Sequence, residues 1–405
     1  MLLKSGKTML TALMACLLLI PSPHANHVSA AAKTETYVAF GDSLAVGYEP
    51  PENGVPPVYY GYVDRLYEQA LFHGEAEVHN YGISGLKTAG LLTYLQAISE
   101  GRVLKGSEIQ AGMSDPNQDE RGMQAPQAKK DIQAASVITV SIGGNDFLSL
   151  LLKHNMDLNL IEAEVPGVLA DYEKQIKVIL QTIHQLNPNA RVFLSDQYQP
   201  VPEMWQKESY PRLNALALQF SETIKKVQAE VKEDTPFTMV PVREAFIGHE
   251  GEYTYTVRRT DIHPTQAGYE AMARVFAKSI WGEYRKVNSG GQPAVVAAGK
   301  EIVSPYKPIA VNGVTLVSIK EITDALGAKT AWDPGSKSTV VKLGTKEVRF
   351  KGGSNTMIVG GKPVKVKTPV RYKDGKTYVP LRLLVEGLGF HVQYIAKTQT
   401  VFVNL

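Results

Sequence analysis

The pattern of apolar and polar positions predicts strands that alternate with helices over the first three quarters of the chain. Five short, mostly apolar runs are typical of buried parallel strands: 37–40, 76–81, 137–142, 190–195 and 237–242. Between them, the stretches 168–186 and 211–232 repeat apolar side chains every three or four positions, as amphipathic helices do. This alternation predicts a parallel sheet with helices on both faces.

Residues 105–130 interrupt the alternation. They are polar and rich in Gly, Asp, Gln and Pro, and we interpret them as a loop that crosses the sheet. Loops of this length are uncommon in compact domains unless they serve a function, so the role of this one is left open.

The last hundred residues contain an internal repeat. Residues 312–317 match residues 374–379 at an offset of 62, and the same offset aligns Trp332 with Tyr394. Each copy reads as a strand, a short helix and a pair of strands, and two such copies would pack on one another. We therefore predict a small α+β domain over 306–405, joined to the first domain by a linker at 286–305.

Charge divides the chain at the same place. Residues 307–405 carry 16 Lys and Arg against 6 Asp and Glu, a net charge of +10, so the remainder carries −7 of the overall +3. The basic part is either a solvated surface or a means of attraction to anionic cell-wall polymers. Nucleic acid is a less favoured partner, because the chain has no nucleic-acid-binding motif and its N-terminus predicts export.

The N-terminus has the features of a secretory signal peptide. Lys4 and Lys7 precede an apolar run at 9–20, and small residues near 30 suit cleavage, which predicts a signal peptide over 1–30. The apolar run is short for a stable membrane span. Cys16 leaves lipidation as an alternative; with ordinary cleavage the mature chain has no cysteine. The predicted location is extracellular or associated with the cell wall.

Residues with chemical potential follow the predicted strands. Ser43 lies in a Gly-Asp-Ser turn after the first strand, Gly82 follows the second and Asn145 the third, while Asp261 and His263 precede the last helix. The carboxyl ends of parallel strands meet at one edge of a sheet, where such folds keep their active sites. Taken one at a time, these residues also fit ordinary turns and helix caps. Together they supply a nucleophile, a base with an orienting acid, and donors for an oxyanion.

The stretches 41–44, 82, 143–146 and 261–263 together resemble the four blocks of the SGNH/GDSL esterase–lipase family, over about residues 35–285. The resemblance implies a flavodoxin-like three-layer α/β/α sandwich in a domain over 31–285, and hydrolysis of carboxylic esters without a metal or other cofactor. It implies that Ser43 is the nucleophile and that His263 is the base, oriented by Asp261. The oxyanion hole would comprise the Ser43 N–H, the Gly82 N–H and the Asn145 side chain.

The C-terminal repeat resembles the stalk domain that is also named after the N-terminal domain of copper amine oxidases. Residues 377–382 and 386–389 carry this resemblance, and the first copy departs from it with Ser318 where the second has Pro380. The name does not imply copper here, because His391 is the one histidine in the region and cysteine is missing from it.

These observations favour a secreted serine esterase that acts on a small ester, either acetyl groups on a polysaccharide or short acyl chains on a lipid. Two alternatives remain open at this point. One is a glycan O-deacetylase of the cell wall that the basic domain targets. The other is a wall-binding protein whose hydrolase fold is catalytically silent.

Overall fold

The computed structural model describes residues 34–51, 56, 59–288 and 292–405. The predicted signal peptide, with Cys16, lies outside these residues. Among the described residues, no helix is both long enough and apolar enough to span a bilayer. The same part of the chain holds no group of three or more His, Cys, Asp or Glu side chains placed to bind a metal ion.

A five-stranded parallel sheet forms the centre of the first domain. Its strands are β1 (Glu35–Gly41), β2 (Ala76–Asn80), β3 (Val137–Ser141), β4 (Arg191–Ser195) and β5 (Thr238–Val240). They lie in the order β2–β1–β3–β4–β5, and every neighbouring pair is parallel. This is the flavodoxin-like strand order, so the predicted fold class is confirmed.

Helices connect and cover these strands. They are α1 (Ser43–Val46), α2 (Tyr62–Leu71), α3 (Thr88–Glu100), α4 (Gly106–Ile109), α5 (Gln118–Met123), α6 (Ala125–Ala134), α7 (Gly144–Lys153), α8 (Leu158–Leu186), α9 (Tyr210–Val231), α10 (Val242–Phe246), α11 (Glu250–Tyr253), α12 (Thr256–Arg259) and α13 (Gln266–Trp281).

Both faces of the sheet are buried, because successive side chains along a strand point to opposite faces. In β1, Val38 and Phe40 join the core that α3, α6, α8 and α9 cover. Tyr37 and Ala39 join the opposite core, beneath α1, α2, α10 and α13. The result is the three-layer sandwich that the alternating pattern predicts.

The interpretation of 105–130 as a loop was wrong for much of its length, because this segment holds α4, α5 and the start of α6. In α6, Ala125, Ala128 and Ile132 recur every three or four positions and are fully buried in the core. Pro126 stands in the first turn of this helix, where a missing N–H costs nothing. The polar residues around these few apolar ones hide the helical spacing in the sequence.

The C-terminal domain consists mostly of strands. They are β6 (Ala294–Ala297), β7 (Lys300–Glu301), β8 (Ile309–Val311), β9 (Val314–Ser318), β10 (Lys329–Asp333), β11 (Ser338–Leu343), β12 (Lys346–Phe350), β13 (Thr356–Val359), β14 (Lys362–Lys365), β15 (Arg371–Lys373), β16 (Lys376–Pro380), β17 (His391–Ile395) and β18 (Thr400–Asn404). Its helices are α14 (Ile319–Ala325) and α15 (Leu381–Gly387).

The internal repeat is visible in the order of these elements. Strands β8, β9 and β10 and helix α14 recur 62 positions later as β15, β16, β17 and α15. Strands β9 and β16 pair antiparallel, which joins the two copies in one sheet. The segment with β12, β13 and β14 stands between the copies and extends the sheet that begins with β10 and β11.

The predicted linker, 286–305, contains two short strands. Strand β6 is buried and pairs in parallel with β18, the last strand of the second copy. This small sheet packs on α2 of the α/β domain, where Phe402 meets Phe72 edge to face with ring centroids 5.2 Å apart. The side-chain amide of Asn404 donates to the carbonyl oxygens of Leu71, at 2.9 Å, and of Gly74, at 2.7 Å. The two domains therefore share apolar and polar contacts.

Candidate active site

The turn between β1 and α1 presents the predicted nucleophile. Ser43 is the first residue of α1, and the carboxylate of Asp42 accepts the Leu44 N–H at 3.0 Å, which caps the helix. Gly41 has a φ of +154°, and a Cβ atom there would lie 2.4 Å from the carbonyl oxygen of Ser141 on β3. The close approach of β3 therefore requires glycine before the Asp-Ser pair.

A chain of hydrogen bonds joins Ser43 to residues more than two hundred positions away. The Nε2 atom of His263 lies 2.8 Å from Ser43 Oγ, and its Nδ1 atom lies 2.7 Å from Asp261 Oδ1. The backbone N–H of His263 donates to the same Asp261 oxygen at 2.8 Å. One carboxylate thus holds both the backbone and the ring of the histidine, which explains why a spacing of two residues suits this pair.

The electrostatics of the pair favour an ionised carboxylate. Partial burial opposes ionisation of Asp261, but the hydrogen bonds and charge of His263 outweigh it and hold the pKa of Asp261 below its ordinary value. An ionised Asp261 accepts a hydrogen bond from the Nδ1–H group and leaves Nε2 facing Ser43 as a proton acceptor.

Three tyrosines hold the histidine segment in place, and none of them belongs to the motifs that predict the site. The Tyr198 hydroxyl donates to the carbonyl oxygen of Ile262 at 2.9 Å, and the Tyr255 N–H donates to that of His263 at 3.0 Å. The ring of Tyr48 packs edge-on against the imidazole, with centroids 4.6 Å apart. These contacts restrict the imidazole to an orientation that faces Ser43.

Gly82 lies directly against the nucleophile turn. A Cβ atom at this position would come within 3.0 Å of the Ala45 side chain and of the Val46 nitrogen in α1. The Gly82 N–H donates to Asn80 Oδ1 at 3.0 Å. By contrast, within the described part of the chain no acceptor is bonded to the Ser43 N–H.

Asn145 stands in the first turn of α7, beside the same turn. Its side-chain amide donates to Asp42 Oδ2 at 3.2 Å and to the carbonyl oxygen of Leu86 at 3.0 Å. Both amide hydrogens therefore have partners in this structure. An oxyanion would have to replace or share one of these acceptors in order to bind Asn145.

Asp42 is a buried carboxyl group with two donors. Its residue is 2 % exposed, and burial raises its pKa from 3.8 to about 6, although the Leu44 N–H and the charge of His263 act in the opposite direction. The carboxylate of Asp146 adds to the rise. Asp42 is thus both the cap of α1 and the group that holds the Asn145 amide. The feature of the sequence that indicates a role for Asp42 in the site is its position next to Ser43.

Asp146 connects two segments of the candidate site. Its Oδ2 atom accepts both the backbone N–H and the hydroxyl of Thr88, each at 3.0 Å, and so caps the first turn of α3. Because Asn145 and Asp146 are neighbours, α7 positions an amide at the nucleophile turn and a cap on the helix that follows Gly82.

The segment 105–130 supports the same region from outside. Asp115 Oδ2 accepts the Ser84 N–H at 2.5 Å, and Gln110 Oε1 accepts the Lys87 N–H at 2.8 Å. These bonds fix the loop between Gly82 and α3. This segment therefore shapes one wall beside the predicted oxyanion donors.

The structure brings all five predicted residues together. Ser43, His263 and Asp261 form one hydrogen-bonded chain, while Gly82 and Asn145 flank the turn that carries Ser43. All of them lie at the carboxyl edge of the sheet, where the order of strands predicts a site.

Comparison with protein families matches both parts of the chain. Residues 39–271, more than half of the sequence, match the GDSL-like Lipase/Acylhydrolase family. Residues 296–403 match the copper amine oxidase N-terminal domain. Over 257 residues the chain is 23 % identical to the uncharacterized protein YpmR of Bacillus subtilis (strain 168), which covers 61 % of this chain and 83 % of that protein.

Solved structures of similar chains include three esterases or lipases. The lipase Lip_vut3 from a goat rumen metagenome is 22 % identical, with a TM-score of 0.41, over 62 % of this chain and 100 % of that one. The extracellular lipase of Streptomyces rimosus is 17 % identical, with a TM-score of 0.42, over 61 % and 99 %. A catalytic mutant of the acetylxylan esterase Axe2 from Geobacillus stearothermophilus is 17 % identical, with a TM-score of 0.40, over 63 % and 97 %.

Proposed function

Because the chain belongs to the GDSL-like lipase/acylhydrolase family, it is an ester hydrolase, and we propose that it is a secreted serine esterase of small carboxylic esters. The observation that carries this proposal is the hydrogen-bonded chain from Asp261 through His263 to Ser43. Support for secretion comes from the charged, apolar and small residues of positions 1–30.

The geometry supports a two-step acyl transfer. In the first step, Ser43 Oγ attacks the ester carbonyl carbon while His263 Nε2 takes the hydroxyl proton. The tetrahedral intermediate collapses, the carbon–oxygen bond to the alcohol breaks, and the leaving alkoxide receives the proton from Nε2. In the second step, water loses a proton to Nε2 and attacks the acyl group, and Ser43 leaves with that proton as a hydroxyl.

The negative oxygen of each tetrahedral intermediate needs donors that are already in place. We assign this role to the Ser43 N–H, the Gly82 N–H and the Asn145 amide. Asn145 would exchange its bond to the Leu86 carbonyl for the oxyanion and keep its bond to Asp42, which holds the amide in orientation. The Gly82 N–H would share its hydrogen between Asn80 and the oxyanion.

A second candidate function, an O-deacetylase of cell-wall glycan, is favoured by the basic C-terminal domain. Its net charge of +10 would attract anionic wall polymers and concentrate the enzyme near an acetylated substrate. Removal of the domain is a poor test of this idea. Removal would expose Leu71, the last residue of α2, and Phe72, the C-cap residue of α2, because both are buried against the C-terminal domain.

The catalytic proposal is tested with p-nitrophenyl acetate and the Ser43→Ala variant. We expect kcat to fall by at least about 10³-fold, because the nucleophile is lost while the fold is kept. Ser99→Ala, on the surface of α3, is the matched control and should hydrolyse the ester like the wild type. Equal rates for the wild type and Ser43→Ala would contradict the serine mechanism.

Substrate class is tested separately. Rates on a series of p-nitrophenyl esters from acetate to palmitate would be compared with acetate release from acetylated xylan and acetylated cell-wall glycan. The esterase proposal predicts a preference for short acyl chains. Efficient release from glycan, relative to the small ester, would favour the deacetylase, and a preference for palmitate would contradict both.

A further inference from the structure

A groove of about 450 Å³ crosses the C-terminal domain. It lies between the β8–β9 hairpin, the segment after β14, the start of α15 and strands β17 and β18. Its floor is apolar and includes Leu381 and Val401, which are almost completely buried. The volume is within the range of pockets that bind small organic molecules or short stretches of a polymer.

The rim of the groove is positively charged. Lys365 and Lys367 are exposed at one side, and no ion pair involves either of them among the described residues. Arg382 on α15 also lines the groove and is paired with Glu386 at 2.9 Å. The lining thus includes three cations and one carboxylate, and in the described part of the chain the one ion pair among these four residues is that of Arg382 with Glu386.

The charge continues beyond the groove along the chain. Residues 362–376 contain six Lys or Arg side chains and one carboxylate, that of Asp374. This stretch accounts for half of the excess charge of the domain. Six cations this close together in the sequence suit a polymer that carries negative charge at intervals better than they suit a single small anion.

An exposed aromatic ring completes the groove. Tyr394 on β17 lines it and is 51 % exposed, and within the described residues no other ring packs on it. A flat, exposed ring offers an apolar surface on which the face of a sugar ring can pack. The equivalent residue of the first repeat, Trp332, is 61 % exposed and does not line this groove.

We propose that this groove binds an anionic glycan, with its acidic groups at Lys365 and Lys367 and one sugar ring on Tyr394. The inference deepens the wall-targeting part of the proposed function. A concave site with a single aromatic ring favours a glycan over a membrane, because a flat bilayer surface cannot reach the floor of a groove.

The test uses the full chain and isothermal titration calorimetry. The probes are hyaluronan and polygalacturonate oligosaccharides, neutral dextran, polyphosphate, and vesicles of phosphatidylglycerol and phosphatidylcholine. We expect both acidic oligosaccharides to bind, dextran to bind weakly, and the affinity to fall when the salt is raised from about 50 to about 300 mM.

Two variants address the groove, and each has a matched control. The double variant Lys365→Ala/Lys367→Ala should lower the affinity for the oligosaccharides by roughly 2- to 30-fold, the range for two exposed charge contacts. Lys329→Ala/Lys351→Ala removes the same charge elsewhere on the domain and should have little effect. Tyr394→Ala should also weaken binding, whereas Trp332→Ala should not.

Several outcomes would overturn the inference. It fails if neither acidic oligosaccharide binds, if the two lysine pairs have equal effects, or if polyphosphate binds as tightly and Tyr394→Ala changes nothing. It also fails if the groove variants affect vesicle binding alone. All these variants should hydrolyse p-nitrophenyl acetate like the wild type, so a failure of the esterase proposal would be seen in a separate assay.

Discussion

Replacement of Asp42 by asparagine tests how the buried carboxyl group acts beside Ser43, the proposed nucleophile. In the folded protein its pKa is about 6, against an ordinary value of 3.8. The difference corresponds to a preference of about 3 kcal/mol for the neutral form in the folded state. Ionised Asp42 therefore destabilises the native protein, even though it accepts hydrogen bonds from Leu44 and Asn145.

The sign of the pH dependence follows from proton binding. Between the two pKa values, the folded state holds the Asp42 proton while the unfolded state has lost it, so the free energy of unfolding decreases as the pH rises. Between about pH 4.5 and about pH 8, the free energy of unfolding falls by about 2 kcal/mol, out of the about 3 kcal/mol that the full titration of Asp42 contributes. Asp42→Asn lacks this titration, so the stability of the variant relative to the wild type should rise by about 2 kcal/mol over the same interval.

Urea unfolding at both pH values, followed by circular dichroism at 222 nm, measures this difference. The signal at 222 nm comes mainly from helices. It therefore reports mainly on the α/β domain, because the helices α14 and α15 of the C-terminal domain are short. Asp171→Asn, at an exposed position of α8, is the control for the loss of one carboxyl group. A relative stability of Asp42→Asn that stays constant or falls as the pH rises would refute the reasoning.

The same variant should lose activity. An asparagine at position 42 can keep its oxygen toward the Leu44 N–H, but its amide hydrogens then face those of Asn145. The displaced Asn145 amide would stabilise the oxyanion less well, and we expect kcat for p-nitrophenyl acetate to fall by about 10- to 100-fold. Unchanged kcat would show that Asp42 does not position the amide.

Two further predictions concern packing. Phe402→Ala should lower the free energy of unfolding by about 3–5 kcal/mol, because Phe402 is fully buried against Phe72 between the domains; a loss below about 1 kcal/mol in urea unfolding would contradict this packing. Gly41→Ala should prevent correct folding or abolish esterase activity, since its Cβ would lie 2.4 Å from the Ser141 carbonyl oxygen. Gly167→Ala, inside α8, is its control and should fold normally in thermal unfolding, because apart from the adjacent backbone of α8 no atom of the described residues lies within 4 Å of the added Cβ.

Much of the fold and of the candidate site can be predicted from short stretches of the sequence. The apolar runs 37–40 and 137–142 predict buried strands because both faces of a covered sheet must be apolar. The carboxyl ends of those strands then place Ser43 and Asn145 at one edge. The order of the motifs along the chain indicates His263 as the partner of Ser43, although no local pattern shows which distant residue contacts this serine.

The remaining features depend on contacts between distant segments. The bond from Asp42 to Asn145 joins two loops that look independent in the sequence. The helices of 105–130 bury only a few apolar side chains among many polar ones, so their periodicity is weak. Strand β6 is four residues long and stands in a stretch with the composition of a linker; its partner lies at the far end of the chain.

The pairing of β6 with β18 has a consequence for the order of folding. It joins Ala294 to Thr400, and closing a loop of more than one hundred residues costs about 4 kcal/mol beyond a constant term. We expect this ladder to form late, so that Phe72 faces water while the parallel sheet is already assembled. Until β18 pairs with β6, the folding enzyme exposes an apolar surface that is prone to aggregation. The yield of folded protein at high concentration should therefore depend on how fast β18 pairs.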